Sequence, residues 1–77
     1  MSYKETQELA TLPVQIEALE KEQGEIAATL ALPETYQNPE RLREMQARAD
    51  TVSTSLTKAY GRWESLEEKA AALAADS

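Results

Sequence analysis

Apolar residues recur along this chain in two long stretches with a seven-residue repeat. In the first stretch the recurring positions are Leu9, Leu12, Ile16, Leu19, Gln23, Ile26 and Leu30. In the second they are Leu42, Met45, Ala49, Val52, Leu56, Ala59, Trp63, Leu66, Ala70 and Leu73. Steps of three and four alternate without a skip, which is the seam of a coiled coil. The pattern predicts an all-α protein: an antiparallel two-helix coiled-coil hairpin forming a single domain over residues 1–77.

The residues between the stretches explain the turn. Pro33 disfavours helix at Leu32 and stops the first arm. Asn38 is a good helix N-cap, and Pro39 suits the first helical position because its missing N–H would have no partner there. The predicted arms cover about 13–31 and 39–75, with a loop at 32–38. A connection this short makes the arms antiparallel neighbours. Facing seam residues then have numbers totalling 75, which places Leu30 against Met45, Ile26 against Ala49, Leu19 against Leu56, Ile16 against Ala59 and Leu12 against Trp63. Bulk is balanced in several layers: Ile26 and Ile16 each meet an alanine, and the largest residue, Trp63, meets Leu12.

Three residues disturb the first stretch. Pro13 removes one helical hydrogen bond, so the sequence predicts a separate short helix at about 3–11. Extending the seam backwards puts Glu5 at a core position, which supports the same division, with Tyr3 folding that helix onto the Trp63–Ala70 end of the second arm. Gln23 is the one polar residue in the seam, and it reads as a register-fixing layer opposite Val52 with its amide reaching the edge. At the other end of the chain, the alanine-rich run 69–75 outlasts its partner arm and is expected to fray.

Composition narrows what such a hairpin does. The chain has 77 residues, no cysteine, no histidine and no Phe, and eight basic against fourteen acidic side chains give a net charge of -6. Catalysis has little to work with. Glu17, Glu20, Glu22 and Glu25 sit on solvated helix positions, whereas acid–base chemistry needs a carboxylate in a cleft that shifts its pKa. No site for a metal or other cofactor is legible in this domain. No apolar run approaches the ~20 residues of a bilayer span, and the N-terminal stretch lacks the character of a signal peptide. The expectation is a non-enzymatic, monomeric, cytoplasmic module with no membrane contact.

The charges are uneven. Lys4 and Lys21 are the bases of the first thirty residues, whereas the second arm carries Arg41, Arg43, Arg48, Lys58, Arg62 and Lys69. Arg41, Arg43 and Arg48 lie near the loop beside Tyr36, where arginines meet phosphate and an exposed aromatic stacks on a base. Glu34, Glu40 and Glu44 dilute that patch, and ordinary solubility charge with Tyr36 packed on the loop is the competing reading. Trp63 with Tyr60 and Arg62 has the composition of a recognition site, but Trp63 falls on the seam and so belongs to the core. Tyr60 flanks the seam and is expected to cover Pro13. Across the arms, Glu8 is placed near Lys69 and Glu22 near Arg48.

One family carries these residues in this order. The string Ser2-Tyr3-Lys4-Glu5-Thr6-Gln7-Glu8-Leu9, then Leu12-Pro13, Ile16-Glu17-Ala18-Leu19-Glu20, the loop Leu32-Pro33-Glu34-Thr35-Tyr36, and Tyr60, Arg62-Trp63-Glu64, Leu66-Glu67 resemble the C-terminal domain of Uup-type ABC-F ATPases. The family's loop usually has Asp before the proline, where this chain has Leu32. The resemblance implies a terminal piece of a larger cytoplasmic protein with two ATP-binding cassettes, Met1 being an added start. ATP would bind in those cassettes and not here. It also implies a helical hairpin credited with DNA binding, in a group of proteins that act on ribosomes. The partners implied are DNA or ribosomal RNA, bound weakly and with strong salt dependence, together with the parent ATPase or the ribosome. The candidate nucleic-acid residues are Tyr36, Arg41, Arg43, Arg48, Lys58 and Arg62, with Lys4 the other available base. A protein-docking arm that never touches nucleic acid is the alternative, and the acidic first arm favours it.

Overall fold

A computed structural model describes residues 1–75 of the chain. Helix α1 spans Tyr3–Leu30, α2 spans Pro33–Gln37 and α3 spans Pro39–Ala75. α1 and α3 pack along each other as the two arms of a hairpin, and α2 closes it. The result is a rod of 60 × 17 × 15 Å.

The start of α1 is fixed by Ser2. Its hydroxyl accepts from the Glu5 N–H at 3.2 Å, and its own N–H donates to Glu5 Oε1 at 3.0 Å. This reciprocal capping satisfies two backbone or side-chain groups that the helix end leaves open. From there α1 runs unbroken through Pro13 to Leu30, which corrects the separate short helix expected at 3–11. The reason is packing. Leu12 and Ile16, one on each side of the proline, are both buried, and keeping both on the seam requires a continuous helix. Pro13 itself is exposed and lies at the edge of the seam, where its ring does not break the contact of the two arms. Tyr3 likewise does not fold back. It is 79% exposed and its hydroxyl accepts from Gln7 Nε2 at 3.2 Å.

The turn forms as its prolines dictate. Leu32 and Asn38, each preceding a proline, are both extended, at φ -77°, ψ 134° and φ -121°, ψ 98°, as the proline ring requires of its predecessor. Between them the expected loop contains the five-residue helix α2, with Pro33 at its first turn. Thr35 points inward, is 4% exposed, and its Oγ1 donates to the Thr29 carbonyl at the end of α1. The same carbonyl also accepts from the Leu32 N–H at 3.1 Å, so both bonds serve a helix C-terminus whose last carbonyls have no partner in the helix itself. Asn38 Oδ1 accepts from the Arg41 N–H at 3.2 Å and caps α3 as predicted.

The predicted seam is the observed core. Ile16, Ile26, Val52 and Leu56 form its buried cluster, with Leu19, Leu30, Met45, Ala49, Ala59 and Trp63 packed against it. Leu12 and Leu66 are buried towards the open end. Each fully buried aliphatic side chain contributes roughly 1.5–3 kcal/mol of transfer free energy. Gln23 departs from expectation: it is exposed and makes no buried polar layer. An amide held in the seam would need a partner there, and turning it to water avoids that desolvation. Val52 opposite is still 1% exposed, covered by the cluster it shares with Ile26 and Leu56. The alanine-rich end, expected to fray, is helical through Ala75.

Candidate nucleic-acid interface

Lettering the seam as a and d positions assigns every other residue to an edge or to the outside. Positions just before a, written g, line one edge of the hairpin. Positions just after d, written e, line the other. In an antiparallel pair g faces g and e faces e.

The g edge joins acids of α1 to bases of α3. Arg48 Nε donates to Glu22 Oε1. Arg62 holds Glu8 through two bonds, Nε to Oε2 at 2.6 Å and Nη2 to Oε1 at 3.1 Å. Lys69 Nζ reaches Glu5 at 2.7 and 2.9 Å. The Glu22–Arg48 pair is the one predicted. The Glu8–Lys69 pair is corrected: Glu8 meets Arg62, because g-to-g register puts Arg62 directly opposite, and Lys69 lies two turns further along beside Glu5. Glu5 thus stands where the seam would want an apolar side chain, and it is used by both the Ser2 cap and Lys69.

The electrostatics follow these bonds. Glu5 is held down to about 2 from an ordinary 4.5, first by the Lys69 hydrogen bond and then by the Ser2 N–H. Glu8 is lowered chiefly by its bond from Arg62. Arg48 and Arg62 are raised, each first by the hydrogen bond to its glutamate.

On the e edge the arrangement differs. Tyr60 donates its hydroxyl to Glu20 Oε1 at 2.6 Å, and this bond raises the phenol, since ionising it would set two anions side by side. Tyr60 and Trp63 from α3, with Pro13, Ile16, Glu17 and Glu20 from α1, line a shallow groove of about 290 Å³. Tyr60 and Pro13 share this groove, as the sequence suggested, and Trp63 is half-buried among the core residues.

The six candidate nucleic-acid residues therefore divide. Arg48 and Arg62 are engaged by glutamates. Among the described residues Arg41, Arg43 and Lys58 have no ion-pair partner. Tyr36 is on α2 and 63% exposed, with Arg41 and Arg43 in the first turns of α3 nearby in sequence. Lys58 and Arg62 stand well away from that tip, Arg62 roughly 30 Å along α3 from Arg41 at 1.5 Å per residue. The candidates form a tip cluster and a separated mid-arm pair, not one continuous patch.

Three features escaped the sequence reading. The capping box was written in Ser2-Tyr3-Lys4-Glu5, a Ser followed three residues later by Glu. The buried Thr35 had no signal beyond its place between two prolines. The groove arises only where e positions of both arms meet. Among the described residues no group of three or more His, Cys, Asp or Glu side chains is placed to hold a metal ion, and no helix is long and apolar enough to cross a membrane.

Comparison with known proteins finds relatives of this sequence. The chain is 39% identical over 71 residues to a Haemophilus influenzae protein described as ATP-binding protein Uup-like, covering 90% of this chain and 15% of that protein. It is also 39% identical over 71 residues to the ATP-binding protein Uup of the same organism, covering 90% of this chain and 11% of the relative. The chain thus spans a small fraction of the length of the relatives it matches. No solved structure matches it significantly. The family model described as the ABC transporter C-terminal domain matches residues 1–68. On this match, which covers most of the hairpin and its turn, the chain belongs to the ABC transporter C-terminal domain family.

Proposed function

We propose that this hairpin is an accessory arm of a cytoplasmic ABC-F ATP-binding protein and brings its loop end against nucleic acid, DNA or ribosomal RNA. The observation that carries this is the tip: Tyr36 is 63% exposed and lies within seven residues of two arginines, Arg41 and Arg43, with no carboxylate bound to either among the described residues. Guanidinium groups hold phosphate oxygens in paired hydrogen bonds, and an exposed phenol ring stacks on an unpaired base. The rod shape serves such a role by holding the tip about one hairpin length from the body that carries it. ATP belongs in this reading to cassettes elsewhere in the parent protein, and the arm works as a monomer because its own seam covers its apolar stripe.

Few cations at the tip make the contact weak and salt-sensitive. The test is titration of labelled branched DNA and structured RNA at low salt. Binding that is lost in Arg41→Ala/Arg43→Ala supports the reading. An absence of binding, or binding unchanged in that variant, refutes it.

A second reading is favoured by a different observation. Arg48 and Arg62 are occupied by Glu22 and Glu8, and the net charge is -6, which suits docking on a basic protein surface of the ATPase core or the ribosome. Retention of the arm by the purified cassettes, abolished by Glu17→Lys, Glu20→Lys and Glu25→Lys together, distinguishes this reading from the first.

A further inference from the structure

The groove on the e edge combines two chemistries in a small volume. Its floor and walls are apolar or aromatic: Pro13, Ile16, Tyr60 and Trp63. Its rim carries Glu17 and Glu20, and the Tyr60 hydroxyl fixes Glu20 by a 2.6 Å hydrogen bond. At about 290 Å³ it lies at the small end of ligand sites, which run to roughly 1,000 Å³. Its size suits one long side chain better than a cofactor.

We propose that this groove seats an arginine side chain from a basic segment of a partner protein. The aliphatic stem lies along Ile16 and Pro13, the guanidinium stacks on the Trp63 or Tyr60 ring, and its N–H groups donate to Glu17 and Glu20. Long basic side chains bury their stems on apolar surface while the charge stays near water. Arginine over an aromatic face gains from the ring's negative face, and a carboxylate accepts its forked donors.

Charge complementarity selects this occupant. Besides the Tyr60 hydroxyl, the titratable groups lining the groove are the carboxylates of Glu17 and Glu20, and the b and e positions that continue the same edge along α3 are Glu64 and Glu67. The bases Arg48, Arg62 and Lys69 bond on the opposite, g edge. Phosphate is therefore repelled where a cation is drawn in. This inference gives the protein-docking reading a defined seat and concerns a surface separate from the Tyr36 tip.

Trp63 is the chain's single tryptophan, so its fluorescence reports the groove directly. The probe is acetyl-Gly-Arg-Gly-Arg-Gly-amide at low ionic strength, against the same peptide with citrulline for arginine. Saturable binding is expected, with NMR shifts at the Ile16 methyl groups and the Trp63 indole. Affinity should weaken about fivefold in Glu17→Gln/Glu20→Gln, whose helicity and melting are checked in parallel. The citrulline peptide should bind at least as weakly. Equal binding by the citrulline peptide, equal binding by the variant, shifts centred on Glu22 and Glu25, or no saturation would each overturn the proposal. Cassettes that still retain the arm after such a result would sink the groove while leaving protein docking in place.

Discussion

Arg62 and Glu8 lie 54 positions apart in the chain and bond twice, Nε to Oε2 at 2.6 Å and Nη2 to Oε1 at 3.1 Å. The pair crosses between the arms on the g edge, as Arg48 and Glu22 do about four turns nearer the loop. Both arginines had the composition of phosphate contacts, and both are held by carboxylates. The basic character of α3 is therefore partly cancelled by α1 along its own length.

Removing those carboxylates should release the arginines. Glu8→Gln/Glu22→Gln takes the net charge from -6 to -4 and frees two cations for phosphate. Nucleic-acid affinity should rise, and the slope of log affinity against log salt should steepen by about 2 for duplex DNA. Fluorescence titration from 50 to 200 mM salt measures it, and an unchanged slope would show that Arg48 and Arg62 never approach phosphate.

Glu5 should leave a mark at acid pH. Its folded pKa of about 2 lies below the ordinary 4.5, so the folded state releases this proton more readily than the unfolded chain. Its contribution to stability is fully present above about pH 4.5 and is lost as pH falls towards 2. Carboxyl NMR should follow the low titration directly. Lys69→Met should move it most of the way back up, because the Lys69 hydrogen bond is the largest cause; a titration near 2 in that variant would assign the shift to Ser2.

The seam can be broken at one layer. Leu56 is buried and Leu19, in the facing layer, packs on the same cluster. Leu56→Asp should abolish cooperative melting by leaving an unpaired charge in the core. Leu66→Ala, at a residue 1% exposed, should cost about 2–4 kcal/mol. Circular dichroism melts decide both, and a Leu56→Asp protein melting like the parent would refute the register.

Two substitutions should make the hairpin more stable. A Cβ at Gly24 or Gly61 would meet nothing within 4 Å, and both residues are inside helices. Each Gly→Ala change should add about 0.5–1 kcal/mol by restricting the unfolded chain and improving helix propensity. The two sites are far apart in sequence and on different arms, and denaturant melts of the double variant should show near-additive gains. A loss in either would mean that the glycine serves an approach by a partner.

The hairpin, its turn and its register were written in the sequence, because seam residues repeat at an interval that only a packed helix pair satisfies, and Pro33, Asn38 and Pro39 act on the backbone of their immediate neighbours. The same local rules failed at Pro13. Its effect on one hydrogen bond is local, but the burial of Leu12 and Ile16 against α3 is not, and packing kept the helix whole. Gln23 turned outward for a related reason, since water is a better partner for its amide than Val52.

What the chain order could not settle was which charges meet. Glu8 had two bases within plausible reach, Arg62 and Lys69, and only the antiparallel docking of α1 on α3 assigned one. The groove at Tyr60 and Trp63 exists for the same reason: its walls come from residues forty or more positions apart. Periodicity along the sequence determines which face of each helix is apolar, since it follows from the pitch of one helix. Partners across the seam depend on two helices being held at a fixed offset, and that offset is a property of the folded hairpin as a whole.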